Sequence, residues 1–294
     1  MHIVRTPGSA RAIARTLKRP VGFVPTMGAL HAGHLSLVRR ARSENASVIA
    51  SIFVNPTQFA PGEDFDKYPR AFERDVEALE QEGVDLVYAP AVERMYPRGF
   101  SASIDVGTLG KVLEGERRPG HFAGVATVVA KLLSALEPTS MYLGQKDVQQ
   151  TAVLRAVVRD LDMATNVVVV PTVREPDGLA LSSRNVRLGA ADRPRAAVIK
   201  RALAAGADAV AGGEDRPRSV RAAMLRVLAS EPGVQPEYVE AVDALSMAVP
   251  AQLSGEVRLL IAARVGGVRL IDNVGALVGV QVGNDRLAMS SKER

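Results

Sequence analysis

The sequence predicts an α/β protein, with a Rossmann-like, doubly wound parallel sheet followed by a smaller C-terminal α+β domain. Short apolar strands alternate with amphipathic helices as far as about residue 172, which is typical of a parallel sheet covered on both faces. Beyond that point two helical stretches come first and three strand-like stretches follow. We therefore expect two domains, residues 1–172 and residues 173–294.

The elements follow from runs of apolar residues and their spacing. Short β-branched or apolar runs predict strands, and apolar residues recurring every three or four positions predict helices. In the first part the strands are residues 21–24, 47–54, 84–89, 141–143 and 167–170, and the helices are residues 71–83, 125–136 and 153–161. In the second part the helices are residues 190–211 and 218–230, and the strands are residues 238–242, 257–263 and 268–272. The polar tail after about residue 284 is expected to fray.

The composition narrows the function classes. Apolar residues make up 47% and charged residues 23%, as in ordinary globular proteins. The absence of cysteine excludes disulfides and thiolate metal sites, and favours a cytoplasmic setting. No apolar run has the length of a membrane span or a signal peptide. The net charge of +5 suits nucleic acid or small anions, but aromatic residues are only 4%, which argues against nucleic-acid binding.

The most informative motif lies where the first apolar strand ends. A turn containing Gly28 leads into a helix that opens with His31 and His34. Ligands of open α/β sheets bind at this end of the strands, where free helix N–H groups attract phosphate. Both histidines share one helix face and can donate hydrogen bonds, and protonation would add charge. An ATP phosphate site is therefore expected, the alternative being a tight turn with two incidental histidines.

Three further segments place polar groups at strand ends or between the domains. Asn55 and Gln58 follow a strand and suit a small substrate, unless they form only an Asn-Pro turn. Lys146 is placed to meet a phosphate, whereas Asp147 with Gln150 also fits a helix cap. The loop with Ser182, Ser183 and Arg184 suits phosphate oxygens, or is a solvated linker.

His121 precedes a strongly apolar helix. It either reaches the same cleft or is an ordinary loop histidine.

Together these segments resemble the pantothenate synthetase family, which belongs to the nucleotidyltransferase superfamily with a HIGH-type motif. The resemblance rests on residues 25–34 (PTMGALHAGH), 53–59 (FVNPTQF), 146–150 (KDVQQ) and 182–185 (SSRN), in this order. It departs at Leu181, where the family has Met, and at Gln145, where Glu is frequent. A HIGH-type motif alone would also fit an enzyme that makes a dinucleotide cofactor, a tRNA-charging enzyme or a non-catalytic nucleotide-binding module.

The resemblance implies a ligase that joins (R)-pantoate to β-alanine through a pantoyl-adenylate, splitting ATP to AMP and pyrophosphate. The implied catalytic residues are His34 as proton donor, His31, Lys146 and Arg184. The implied pantoate site is Asn55, Gln58, His121 and Gln150, and Gln58 also lies near β-alanine. The implied ATP site is Met27, Gly28, Ala29, Leu30, His31, Ala32, Gly33, His34, Gly144, Gln145, Lys146, Asp147, Val173, Leu181, Ser182, Ser183 and Arg184.

The same resemblance implies a lid formed by the C-terminal domain and a homodimer joined through the N-terminal domains. Mg²⁺ is expected to accompany the phosphates of ATP. No protein ligand for the metal is assigned, and Asp75 and Asp147 are the candidates. The expected partners are therefore small molecules and a second copy of the chain, without nucleic acid or membrane.

Overall fold

The computed structural model describes residues 1–59, 65 and 68–279 of the chain. A six-stranded parallel sheet forms its N-terminal part, in the strand order β1-β4-β3-β2-β5-β6. The strands are β1 (His2–Val4), β2 (Val21–Thr26), β3 (Ser47–Ile52), β4 (Leu86–Tyr88), β5 (Ser140–Gly144) and β6 (Asn166–Val170). The predicted Rossmann-like sheet is thus confirmed, with the strand order reversing between β2 and β5.

Seven α-helices belong to the described N-terminal part. They are α1 (Pro7–Ala14), α2 (Ala32–Glu44), α3 (Phe72–Gln81), α4 (Val92–Met95), α5 (Glu114–Arg117), α6 (His121–Leu136) and α7 (Val148–Asp160). Helices α1, α2 and α6 are among those that cover the two faces of the sheet. Successive strand residues point to opposite faces, so Phe23 packs with α1 and α6 while its neighbour Val24 packs with α2. Burial on both faces explains why the strands are nearly continuous apolar runs.

The C-terminal part has its own sheet and its own core. Three antiparallel strands pair in the order β7-β8-β9 and pack against two long helices. The elements are α8 (Asp192–Arg195), α9 (Val198–Ala211), α10 (Pro217–Leu228), β7 (Val234–Asp243), β8 (Glu256–Val265) and β9 (Val268–Leu277). The buried residues of the cluster between them all come from Leu179 onward.

The structure corrects several predicted details. The predicted helix 190–211 is two helices, because Pro194 lacks an N–H donor and Ala197 bonds back only three residues, to the Pro194 carbonyl. The helix predicted at 125–136 begins earlier, at His121. The strand predicted at 84–89 is limited to Leu86–Tyr88. The tail after residue 284 lies outside the described residues.

No helix in the described part of the chain combines the length and the hydropathy that crossing a membrane requires.

Candidate active site

One large cavity lies at the carboxyl ends of β2 and β5, where the strand order reverses and open α/β sheets bind their ligands. Its volume is about 1010 Å³, and it is bounded by both sheets. The predicted residues that line it are Met27, His31, Gly33, His34, Asn55, Gln58, His121, Gly144, Lys146, Asp147, Gln150, Val173, Leu181, Ser182, Ser183 and Arg184. Gly28, Ala29, Leu30, Ala32 and Gln145 do not line its wall.

The two histidines cap helix α2 with one ring nitrogen each. The N–H of Gly33 donates to His31 Nδ1 at 3.1 Å, and the N–H of His31 donates to His34 Nδ1 at 3.4 Å. This is a reciprocal capping box made from imidazoles. A nitrogen that accepts a hydrogen bond carries no proton, so each neutral ring carries its proton on Nε2. Both rings therefore keep one N–H donor for a ligand.

The charge state of the pair differs from the sequence-based expectation. Burial, with a smaller effect from the neighbouring His31, lowers the pKa of His34 to about 4. Burial also lowers the pKa of His31, and the positive charge of Lys146 adds to this. The rings, whose centroids are 4.1 Å apart, are thus neutral at neutral pH in the absence of ligand. They supply hydrogen-bond donors rather than charge, and Lys146 and Arg184 supply the positive charge.

The turn before the histidines does not present free N–H groups as expected. The carboxylate of Asp75, which is only 2% exposed, accepts the N–H groups of Ala29 and Leu30, each at 2.8 Å. The N–H of Gly28 donates to Thr26 Oγ1 at 3.2 Å. These contacts explain why Gly28, Ala29 and Leu30 do not face the cavity.

A second wall of the cavity is built around Asn55. Its side chain is 1% exposed, and its Nδ2 donates to Gln58 Oε1 at 3.0 Å and to the Gly124 carbonyl at 3.2 Å. Its Oδ1 accepts from Tyr96 at 2.7 Å and caps the short 3₁₀ helix Pro56–Gln58. Asn55 thus caps a turn, and the turn places Gln58 at the cavity wall.

Helix α6 packs closely against the same turn. A Cβ atom at Gly124 would lie 2.3 Å from the Thr57 carbonyl oxygen, so only glycine allows this approach. His121, at the first turn of α6, donates from Nδ1 to the Gln58 carbonyl at 2.8 Å, and Arg118 lies 3.2 Å from its Nε2. His121 thus reaches the cleft, with its ring bonded to the backbone of Gln58.

Lys146 lies in the 3₁₀ helix Gln145–Asp147, directly after β5. Asn273 of β9, 3% exposed, donates from Nδ2 to the carbonyls of Gln145 and Lys146 at 2.9 and 3.0 Å. Gln145 Nε2 donates back to Asn273 Oδ1 at 3.1 Å. The side chain of Gln145 therefore joins the two sheets. Asp147 is the N-cap residue of α7, as its spacing predicted, but its side chain makes no capping hydrogen bond.

The loop with Ser182, Ser183 and Arg184 lies over the start of α2. A Cβ atom at Gly33 would be 3.9 Å from the Leu181 side chain, and the Leu181 N–H donates to the Val173 carbonyl at 2.9 Å. Asn185 anchors the loop through the Glu175 carboxylate at 2.7 Å and the Ala180 carbonyl at 3.1 Å. Hydrogen bonds of Leu181 and Asn185 therefore hold the loop at its two ends, while Ser183 and Arg184 remain exposed.

A partly buried ion-pair network at the cavity wall, formed by Glu114, Tyr238 and Arg269, was not predicted from the sequence. Both Glu114 oxygens accept from the Arg269 guanidinium, at 2.7 and 2.8 Å, and Tyr238 donates to the same carboxylate at 2.7 Å. Burial works to raise the pKa of Glu114, but the hydrogen bonds and charge of Arg269 hold it below its ordinary value. Because 155 residues separate Glu114 from Arg269, no local sequence signal could have revealed the pair.

Comparisons with known proteins point to one family. The model of the pantoate-beta-alanine ligase family matches residues 2–275. A pantothenate synthetase of Herpetosiphon aurantiacus is 52% identical over 275 residues, covering 93% of this chain and 99% of the relative. That of Chloroflexus aggregans is 53% identical over 274 residues, with the same coverage of 93% and 99%.

Solved structures of that family superpose closely. The pantothenate synthetase of Thermus thermophilus has a TM-score of 0.87 at 47% identity, covering 93% of this chain and 99% of that one. The Francisella tularensis pantoate-beta-alanine ligase, complexed with beta-gamma ATP and beta-alanine, has a TM-score of 0.74 at 35% identity, covering 93% and 97%.

Proposed function

The chain belongs to the pantoate-β-alanine ligase family, and on that premise we propose that it joins (R)-pantoate to β-alanine through a pantoyl-adenylate, releasing AMP and pyrophosphate. The observation that carries the proposal is the convergence of three groups on one cavity. These groups are the histidine pair with Lys146, the Ser182–Arg184 loop, and the amides of Gln58 and Gln150. The first two suit a triphosphate and the third suits a small hydroxy acid.

In the first step, a carboxylate oxygen of pantoate attacks the α-phosphorus of ATP, and the bond to pyrophosphate breaks. Negative charge grows on the phosphoryl oxygens as this happens. The Nε2–H groups of His31 and His34 donate to these oxygens, while Lys146 and Arg184 supply positive charge. Fixed donors need no reorganisation during the reaction, and removing one from an enzyme costs about 3 kcal/mol of barrier.

In the second step, the neutral amine of β-alanine attacks the acyl carbon, AMP leaves with the electron pair of the broken acyl–phosphate bond, and the proton that the nitrogen loses passes to the departing phosphate. Gln58 and Gln150 hold the pantoyl group, and Gln58 also contacts β-alanine. His34 donates its Nε2 proton, in a hydrogen bond, towards the departing phosphate. Asn55 and His121 support this arrangement because they are bonded to the side chain and the backbone of Gln58.

The adenosine would lie along the β2–β5 edge, against the backbones of Met27, Gly144 and Val173 and under Leu181. These four residues line the cavity together. Leu181 stands where the family has methionine, and leucine keeps the apolar volume that methionine would fill. The contact with adenosine should therefore be preserved.

The two candidate Mg²⁺ ligands differ in how well they fit. Mg²⁺ prefers substrate phosphates, water and one or two carboxylates, and no cluster of three metal-ligating side chains exists among residues 1–59, 65 and 68–279. Asp147 lines the cavity beside Lys146 and is exposed, so it would hold the metal. Both oxygens of Asp75 already accept backbone N–H groups. The metal would neutralise charge on the phosphates.

We further propose that residues 1–172 form the catalytic domain and that residues 173–294 form the lid. Contacts across the cavity, such as Arg269 with Glu114 and Asn273 with Lys146, support a docked lid. The cytoplasmic location and the homodimer remain predictions that rest on the sequence and the resemblance.

Pyrophosphate exchange tests the proposal. The protein is incubated with ATP, Mg²⁺, labelled pyrophosphate and pantoate, and label entering ATP is measured. We expect exchange that requires pantoate but not β-alanine, and AMP formation that requires β-alanine as well. Exchange without pantoate, or ADP as the product, would contradict the assignment.

A further inference from the structure

An unusual turn connects β2 to the histidine helix. Gly28 and Ala29 are consecutive residues with positive φ angles, 84° and 52°. A left-handed conformation is sterically unfavourable for a residue with a Cβ atom such as Ala29, so another contact must hold it. The N–H groups of Ala29 and Leu30 converge, as in anion-binding turns, and the group that they bind belongs to the protein itself.

That group is the carboxylate of Asp75 in the first turn of α3. Each of its oxygens accepts one N–H of the turn at 2.8 Å, a length typical of strong, charge-assisted hydrogen bonds. The carboxylate is 2% exposed. Such burial is costly unless the charge is compensated, and the two N–H groups and the N-terminal dipole of α3 compensate it.

The turn also fixes where the histidines point. Leu30 precedes His31, whose Nδ1 caps α2, so the turn sets the position from which the capping box begins. A Cβ atom at Gly28 would lie 2.9 Å from Asp75 Oδ2, which shows how closely the carboxylate fits the turn. The chain thus places the carboxylate where the sequence analysis expected a phosphate of the substrate.

We infer that Asp75 is a positioning residue for the histidine pair, an internal anion that holds the turn at residues 28–30 and keeps the Nε2–H groups of His31 and His34 aimed at the cavity. This inference rests on the proposed function. It assigns Asp75 no contact with substrate, and it excludes the N–H groups of Ala29 and Leu30 from phosphate binding.

The first test is Asp75→Asn, measured by pantoate-dependent pyrophosphate exchange. One oxygen acceptor becomes an NH₂ group facing an N–H donor, so the turn must shift. Because misplacement by about 1 Å costs on the order of 10²-fold in rate, we expect kcat to fall by about that factor while KM for pantoate changes little. Glu73→Gln is the matched control, since it removes the same charge from the same helical turn at an exposed position; it should stay within about twofold of wild type.

A double-mutant cycle separates positioning from a general structural role. If Asp75 acts through the histidines, Asp75→Asn in the His34→Ala background should reduce exchange much less than it does alone, because coupled residues are not additive. Losses that multiply in full would overturn the inference. If Asp75→Asn does not fold, Gly28→Ala disturbs the same contact and replaces it in the cycle.

Titration with Mg²⁺ provides a further test. Recovery of the Asp75→Asn variant to the wild-type rate at saturating Mg²⁺ would make Asp75 a metal ligand and overturn the positioning role. Wild-type protein without pantoate-dependent exchange would refute the proposed function itself. Normal wild-type exchange with an unaffected Asp75→Asn variant would refute only this inference.

Discussion

The histidine pair, which follows the turn at residues 28–30, and the Lys146 segment face the same cavity, but they are held in different ways. The turn depends on contacts within residues 26–75, from Thr26, the two capping imidazoles and Asp75. The Lys146 segment is held by Asn273, which is 127 residues away and belongs to the other sheet. The two sheets must therefore be docked for the lysine to be fixed, whereas the histidines are fixed by the N-terminal part alone.

The arrangement around Asn273 strengthens this contrast. The N–H of Asn273 donates to Asp272 Oδ1 at 2.8 Å, and Asp272 pairs with both Nη atoms of Arg174 at 2.6 and 3.0 Å. Arg174 begins the segment that carries the Ser182–Arg184 loop. Strand β9 therefore contacts both the segment that carries Lys146 and the start of the segment that carries Arg184. These two residues supply the positive charge at the cavity.

The largest expected effect is that of His34→Ala, which removes a donor fixed within the N-terminal part. Losing one preorganised donor costs about 3 kcal/mol of barrier, so pantoate-dependent exchange should fall by about two orders of magnitude. The lost cap should lower the free energy of unfolding by about 1 kcal/mol. Kinetics and urea denaturation measure the two effects, with His2→Ala, at an exposed position on β1, as the control. Near-normal exchange would show that His34 is not a catalytic donor.

A smaller effect is expected at the contact between the sheets. Asn273→Ala leaves two backbone carbonyls without their donor, which costs about 1–3 kcal/mol. If about 1.4 kcal/mol of this cost appears as weaker ATP binding, KM for ATP should rise tenfold. KM for pantoate should rise less. Gln145→Ala, which removes only one of the three hydrogen bonds, should raise KM for ATP less. An equal rise in KM for ATP in both variants would contradict the idea that Asn273 holds the Lys146 segment in place.

The smallest effect concerns proton uptake by the histidine pair. Because the pKa of His34 is lowered to about 4, the folded protein binds fewer protons than the unfolded chain between about pH 4 and the ordinary histidine value of about 6.5. His34 should therefore make unfolding easier as pH falls through this window. NMR titration of the ligand-free protein, with His34→Ala assigning the signal, should give a midpoint near 4. A midpoint near the ordinary histidine value would contradict the neutral, buried ring.

The motifs could be found in the sequence because each combines a strand end with unusual polar residues. His31, His34 and Lys146 line the cavity because the carboxyl ends of parallel strands converge at one edge of the sheet, and Arg184 lines it from the loop over the start of α2. The sequence was less informative about side chains that bind the protein itself. Asn55 and Gln145 look like ligand-binding residues by position, yet Asn55 bonds to Gln58, Gly124 and Tyr96, and Gln145 bonds to Asn273.

The sequence by itself determined the parallel α/β sheet, the separate C-terminal core, the family and the strand ends that line the cavity. These follow from local periodicity and short motifs, which act over a few residues. Only the tertiary structure decided that Asp75 fills the anion position of the histidine turn, that burial lowers the pKa of both imidazoles, and that Asn273 holds the lysine segment. Those properties depend on burial and on contacts between residues 45 to 127 positions apart, and no pattern within one segment records them.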